Sequence, residues 1–169
     1  MNKIIIRPEK AQDINAISEV IRLAFLDVEY SSHTEQFIVN ELRRNHKLTL
    51  SLVAEIDQNI VGHVAISPVA LSTHESGWYG LGPIAILPTM QKQGIGSQLM
   101  NSALELLKKQ GAKGCVLLGD PLYYQRFGFK SYPDLILEDV PPQYFQALSF
   151  NDTTPKATVK YDTAFNATE

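Results

Sequence analysis

Apolar and polar residues follow two different periods along this chain, and each change of period marks a change of element. Ile14, Ile17, Val20, Ile21, Ala24, Phe25 and Val28 recur every three or four residues, which draws one apolar stripe along a helix. Asp13 stands where it would cap the N-terminus of that helix, and residues 3–7 before it read as a short strand. Ser32-His33-Thr34-Glu35 has the S-x-x-E form of a capping box and opens a second helix through Phe37, Ile38 and Leu42. Strand patterns then cover residues 48–56, 60–71 and 79–87, with Asp57-Gln58-Asn59 as the first turn, so an antiparallel meander is expected. Beyond Pro88 the helical period returns in Ile95, Leu99, Ala103, Leu106 and Leu107, and Gly111 is placed to end that helix. A strand at Gly114–Leu118, a short helix over 121–126, a strand over 129–137 and a last strand over 157–161 complete the pattern. No repeat, low-complexity tract or flexible linker divides residues 1–169, so the expectation is a single α/β domain with a mixed sheet.

Composition narrows the function more than it narrows the fold. A hydrophobic share of 44% with 20% charged residues suits a folded globular chain rather than a disordered one. The net charge of −3, with no Lys/Arg cluster, argues against a nucleic-acid partner, because phosphate-backbone binding needs a basic face. No apolar run approaches the ~20 residues that cross a bilayer, and the isoleucines of residues 4–6 are too few for a secretory segment. A cytoplasmic protein without membrane association is therefore expected, and the sequons at Asn151 and Asn166 read as chance matches. Cys115 is the single cysteine; it lies inside an apolar strand pattern and reads as a buried, inert thiol.

The chemistry concentrates in residues 82–99, where an apolar strand turns through a glycine-containing loop into an amphipathic helix. The first N–H groups of a helix lack intrahelical partners, and together with the helix dipole they form an anion site. Gly94 and Gly96 carry no Cβ, so a pyrophosphate can approach the backbone closely, and Lys92 adds a positive charge. Two glycines at a strand–helix junction are by themselves weak evidence. The fuller pattern is more specific: an apolar strand, Pro88, a two-residue spacer, then Gln91-Lys92-Gln93-Gly94-Ile95-Gly96 opening a helix. A dinucleotide fingerprint fails because Leu99 occupies the position of its third glycine, and Gly96-Ser97-Gln98 does not end a P-loop.

At these residues the chain resembles the GNAT superfamily of acetyl-CoA-dependent N-acetyltransferases, whose signature is Arg/Gln-x-x-Gly-x-Gly/Ala. Gln91, Gly94 and Gly96 stand at its defining positions. The segment Gly119-Asp120-Pro121-Leu122-Tyr123-Tyr124-Gln125-Arg126-Phe127-Gly128-Phe129 is similar to the family's short helix after the fifth strand, and the resemblance extends over nearly the whole chain to a branch of bacterial predicted acetyltransferases. The resemblance implies a mostly antiparallel central sheet flanked by helices and acetyl-CoA as co-substrate, with no metal. It further implies that amides of Gln91, Lys92, Gln93, Gly94, Ile95, Gly96 and Ser97 hold the pyrophosphate. Ile84, Ala85 and Ile86 would pair with the pantetheine arm as an added strand. Tyr124, four residues before a Gly-Phe pair, would protonate the departing CoA thiolate, with Tyr123 as its rival. Asp120, where many relatives carry Asn, reads as a helix cap.

Amine acetylation needs a neutral nitrogen, yet an alkyl amine of pKa ~10.4 is almost wholly protonated at neutral pH, so a proton acceptor is required. Glu35 is the residue that the resemblance suggests, with His33 and His74 as alternatives. Trp78, Tyr79 and Tyr30 are candidates for an apolar pocket around a small-molecule or protein amine acceptor. A non-catalytic acetyl-CoA-binding module remains the competing class, and exposed strand edges permit a homodimer.

Overall fold

The computed structural model describes residues 2–169. Eight strands join in one sheet: β1 (Ile5–Pro8), β2 (Leu50–Ile56), β3 (Asn59–Leu71), β4 (Trp78–Ile86), β5 (Gly114–Leu118), β6 (Leu135–Ile136), β7 (Phe145–Ser149) and β8 (Ala157–Tyr161). The main path runs β1-β2-β3-β4-β5-β7. It is antiparallel except between β4 and β5, which are joined by the crossover helix α3 (Ile95–Lys109). The expected meander over β2, β3 and β4 is formed, and Asp57 and Gln58 turn its first hairpin with φ of 50° and 67°. β3 outlasts β2, and its final residues Val69, Ala70 and Leu71 pair with β8 instead.

Helices α1 (Ile14–Phe25) and α2 (Glu35–Arg44) cover one face of the sheet, where Ile17, Val20, Ile21 and Val39 pack on Val53, Ala65 and Ala85. Each of those aliphatic side chains, wholly removed from water, contributes roughly 1.5–3 kcal/mol. Helix α3 covers the other face through Ile95, Leu99, Met100, Ala103 and Leu107, packed on Leu52, Val64, Ile66 and Leu117. Leu106, expected on that buried stripe, is 36% exposed, and Met100 and Leu104 fill the face instead. Gly111 ends α3 as expected: its φ is +87°, its N–H donates to Lys108, and the N–H of Ala112 donates to Leu107.

Three local expectations are corrected, and one strand was not expected at all. Asp13 does not cap α1, because the chain already coils from Ala11; its carboxylate accepts the Lys10 N–H at 2.7 Å and both ends of the Arg7 guanidinium at 2.7 and 3.1 Å. The Arg7 contact, working against burial, holds that carboxyl below its usual range. The capping box at Ser32 does not form either. α2 begins at Glu35 itself, because His33 turns the chain with φ +60°, and the Ser32 hydroxyl pairs with that of Thr34 at 2.6 Å. The strand over 129–137 is broken at Pro133 into a single bridge between Lys130 and Ala147 and the two-residue β6. Strand β7 has no counterpart in the apolar pattern, since the polar Gln146 sits in its buried half.

Candidate active site

Between β4 and β5 the sheet opens. The two strands pair only through Trp78, Tyr79 and Gly80 against Gly114, Cys115 and Val116, after which β5 pairs with β7 alone. A register slip between Val64 and Ile66 bends the β3–β4 pair at the same level. The edge of β4 from Leu81 to Ile86 therefore has no strand beside it among the described residues. Backbone alternation decides which groups face that edge. The Leu87 N–H donates to Val61 on β3 at 2.9 Å, so Ala85 also faces β3 and the amides of Ile84 and Ile86 face the gap. The Gln91 side chain donates to the outward carbonyl of Ile86 at 3.1 Å and ties the following loop to the end of this edge.

That loop builds a pocket of about 530 Å³ at the N-terminus of α3. Gly94 caps the helix with φ +83°, a left-handed conformation that costs a non-glycine residue roughly 1–2 kcal/mol. The first helical bond runs from the Gln98 N–H to Gly94 at 3.1 Å, which leaves the amides of Ile95, Gly96 and Ser97 free to meet an anion. Gln91, Lys92, Gly94, Ile95, Gly96 and Ser97 all line the pocket; Gln93 is exposed outside it. Arg126, which the sequence pattern did not single out, lines it too. Its guanidinium stacks 4.4 Å over the Tyr123 ring and its Nε donates to the Tyr123 carbonyl at 2.8 Å. The spacing of three residues on a helical turn was the available signal. Lys92 and Arg126 thus bring two cations, and no carboxylate lines this pocket.

A larger cleft of about 800 Å³ lies at the other end of the open edge, with Leu81, Pro83 and Ile84 on one side and Leu118, Gly119 and Asp120 on the other. Tyr123 lines both cavities, so the two form one track along β4. Its hydroxyl lies 3.3 Å from where a Gly96 Cβ would stand, at the anion end. Tyr124 lines only the larger cleft, its ring seated on Gly119. Burial, reinforced by Tyr123, Tyr30 and Asp120, pushes its phenol up to about 12, so it is a retained proton donor at neutral pH. Asp120 caps helix α4 (Pro121–Tyr124) by accepting the Leu122 N–H at 2.9 Å, as its position suggested.

Glu35 also lines the cleft, and both of its carboxylate oxygens lie close to the Ser31 hydroxyl, at 2.5 and 2.7 Å. Tyr30 lines it, whereas Trp78 and Tyr79 pack in the core, and neither His33 nor His74 is part of the lining. Ala85 lines neither cavity: its side chain is buried beneath α1 and α2, and its amide faces β3. Cys115 is fully buried, and burial pushes its thiol up, away from the reactive thiolate form. No group of acidic, histidine and cysteine side chains with metal-site spacing occurs among the described residues, and no helix among them is long and apolar enough to cross a membrane.

Known proteins share this architecture. Residues 14–129 match the family model of the GNAT acetyltransferases. An Escherichia coli K12 protein described as uncharacterized N-acetyltransferase YhbS is 36% identical over 128 residues, which cover 75% of this chain and 74% of that protein. The crystal structure of YhbS from Escherichia coli in complex with CoA superposes with a TM-score of 0.90 at 31% identity, covering 98% of this chain and 93% of that one. A GNAT acetyltransferase from Brucella melitensis, solved in complex with acetyl-CoA, is 45% identical with a TM-score of 0.88, covering 98% of this chain and 99% of the other. With the family model spanning more than half of its length and the strand–loop–helix site in place, this chain belongs to the GNAT family of acetyltransferases.

Proposed function

We propose that this enzyme binds acetyl-CoA along the open edge of β4 and passes the acetyl group directly to a primary amine in a ternary complex. The observation that carries this reading is the continuous track from the free amides of α3, past the outward amides of Ile86 and Ile84, to the Tyr124 phenol. The pyrophosphate takes the N–H groups of Ile95, Gly96 and Ser97, with Lys92 and Arg126 beside it. Pantetheine lies against β4 as an added strand. The complexes of the two similar proteins with acetyl-CoA and CoA support acetyl-CoA as the ligand of this chain.

In the transfer step the neutral amine attacks the thioester carbonyl, and a β4 amide near Ile84 donates to the developing oxyanion. The C–S bond then breaks, and the departing thiolate takes the proton of Tyr124. The nitrogen sheds two protons in all. The one lost by the acceptor ammonium before attack goes to Glu35, directly or through a water molecule, and the one lost from the tetrahedral intermediate returns through water to the Tyr124 phenolate. No covalent enzyme intermediate is required, and Cys115 is too buried to form one. Release of CoA thiol, followed against a panel of amines, tests the proposal. Amine-dependent release supports it; acetyl-CoA binding without release on any amine leaves a cofactor-binding module and refutes transfer.

A further inference from the structure

Beyond Tyr124, the cleft is walled by side chains that have no counterpart on the cofactor side. Phe25 at the end of α1, Ile38 of α2, and Tyr161 and Phe165 near the C-terminus wall it, and the exposed Tyr30 lines it as well. The Tyr161 and Phe165 rings pack against each other with centroids 4.9 Å apart, and the turn Thr163–Asn166 that carries Phe165 is anchored on α2 through Ala164, Ile38 and Leu42. This wall is therefore built into the fold rather than formed by a free tail. Burial keeps the Tyr161 phenol protonated, so it adds no charge.

The polar chemistry of the same cleft is one-sided. No Lys, Arg or His lines it. Its carboxylates are Glu35 and Asp120, and Asp120 is occupied in capping α4. Glu35 is the first residue of α2, and Ser31 satisfies only part of a carboxylate's capacity of about four acceptor positions. An ammonium group can take the remaining positions. A second carboxylate brought in by the ligand would meet a like charge and no cation.

We infer that the acceptor is a small primary amine on an aromatic-sized apolar body, without a carboxylate, whose ammonium group is held by Glu35. The inference rests on the transfer reading above and gives it a substrate class, the arylalkylamines as opposed to free amino acids.

Two matched comparisons test it in the thiol-release assay. 2-Phenylethylamine and phenylalanine differ only by the carboxylate, and 2-phenylethylamine and ethylamine differ only by the ring. The expected result is a kcat/KM for 2-phenylethylamine at least about ten-fold above that of either partner, the size of discrimination that one apolar pocket or one unpaired charge supplies. Glu35→Gln is expected to lower turnover with every amine and to shrink the preference over phenylalanine to within about three-fold, and Phe165→Leu to shrink the preference over ethylamine, both with acetyl-CoA affinity retained. Phenylalanine or ethylamine used as well as 2-phenylethylamine overturns the inference. So does an enzyme that acetylates other amines but not this one. Absence of release with every amine instead overturns the transfer reading on which the inference rests.

Discussion

The Tyr124 ring rests directly on the α-carbon of Gly119: a Cβ built there would stand 2.3 Å from Cε2 and 2.8 Å from Cδ2 of the tyrosine. Gly119 is itself held on both sides, its N–H donating to the Tyr144 carbonyl and its carbonyl accepting from the Gln146 side chain, each at 3.0 Å. The buried glutamine in β7 thereby positions the floor on which the proposed acid sits.

Gly119→Ala tests this relationship. The pinned backbone cannot retreat, so the ring must, and the phenol leaves its place beside the cleft. Turnover is expected to fall about ten-fold or more with acetyl-CoA affinity within about three-fold, since overpacking of this size costs ~1–3 kcal/mol and acts on the acid rather than on the phosphate loop. Steady-state kinetics with calorimetry decide it, and unchanged turnover refutes the positioning role.

Tyr124→Phe removes the proposed acid while keeping the ring. A loss of about a hundred-fold in kcat with little change in acetyl-CoA affinity is expected, the lower end of what general-acid catalysis contributes. Because burial raises this phenol to about 12, it stays protonated across the working range, and the wild-type rate should show no alkaline limb from it near the ordinary tyrosine value of 10. A limb near 10 that Tyr124→Phe abolishes contradicts the buried-phenol account.

The fold was largely legible from periodicity. The helical stripe of α1, the meander β2–β4 and the glycine stop of α3 all follow from patterns that burial itself imposes. What failed was set by tertiary partners that a single sequence does not display. Asp13 lies inside a coil that already starts at Ala11 and is held there by Arg7, Glu35 begins α2 instead of closing a capping box, and β7 is hidden by a glutamine whose hydrogen bond reaches Gly119 from 27 residues away. The site divides in the same way. The loop around Gly94 announces itself by local chemistry, whereas Arg126 and the aromatic wall of Tyr161 and Phe165 enter only through packing.

Arg126→Gln should weaken acetyl-CoA binding by about three- to ten-fold, because the residue adds a partly exposed charge to a site whose amides remain intact. The loss is expected to shrink as salt screens the Arg126 charge in the wild type, with a Debye length of ~3 Å at 1 M. Isothermal titration at low and high salt measures both effects; equal affinity for wild type and variant at low salt removes Arg126 from the site.

His63 makes a separate prediction about stability. It is buried on β3 with its Nε2 2.8 Å from Ser51, whose hydroxyl donates to Glu9, which in turn holds Arg43 at 2.7 and 2.8 Å. This arrangement calls for a proton on Nε2 and leaves Nδ1 without a partner among the described residues. Burial, opposed by Glu9 and assisted by Arg43, lowers its pKa from 6.5 to about 4. The unfolded chain then takes up this proton as pH falls through 6.5 while the folded chain does so only near 4, so stability drops across that window. The slope is up to about 1.4 kcal/mol per pH unit from this one group. Urea unfolding at pH 7, 6 and 5 should show that slope in wild type and lose it in His63→Gln; parallel slopes contradict the assignment.

The most direct test is calorimetric titration of acetyl-CoA into wild type and Gly94→Val. Gly94 is left-handed and nothing lies within 4 Å of its missing Cβ, so a side chain there projects into open space beside the free amides while disturbing little of the core. One acetyl-CoA per wild-type chain, with affinity reduced at least about ten-fold in the variant and a fold cost of roughly 1–2 kcal/mol, is the predicted result. Failure of wild type to bind acetyl-CoA, or equal affinity in the two proteins, would contradict the site.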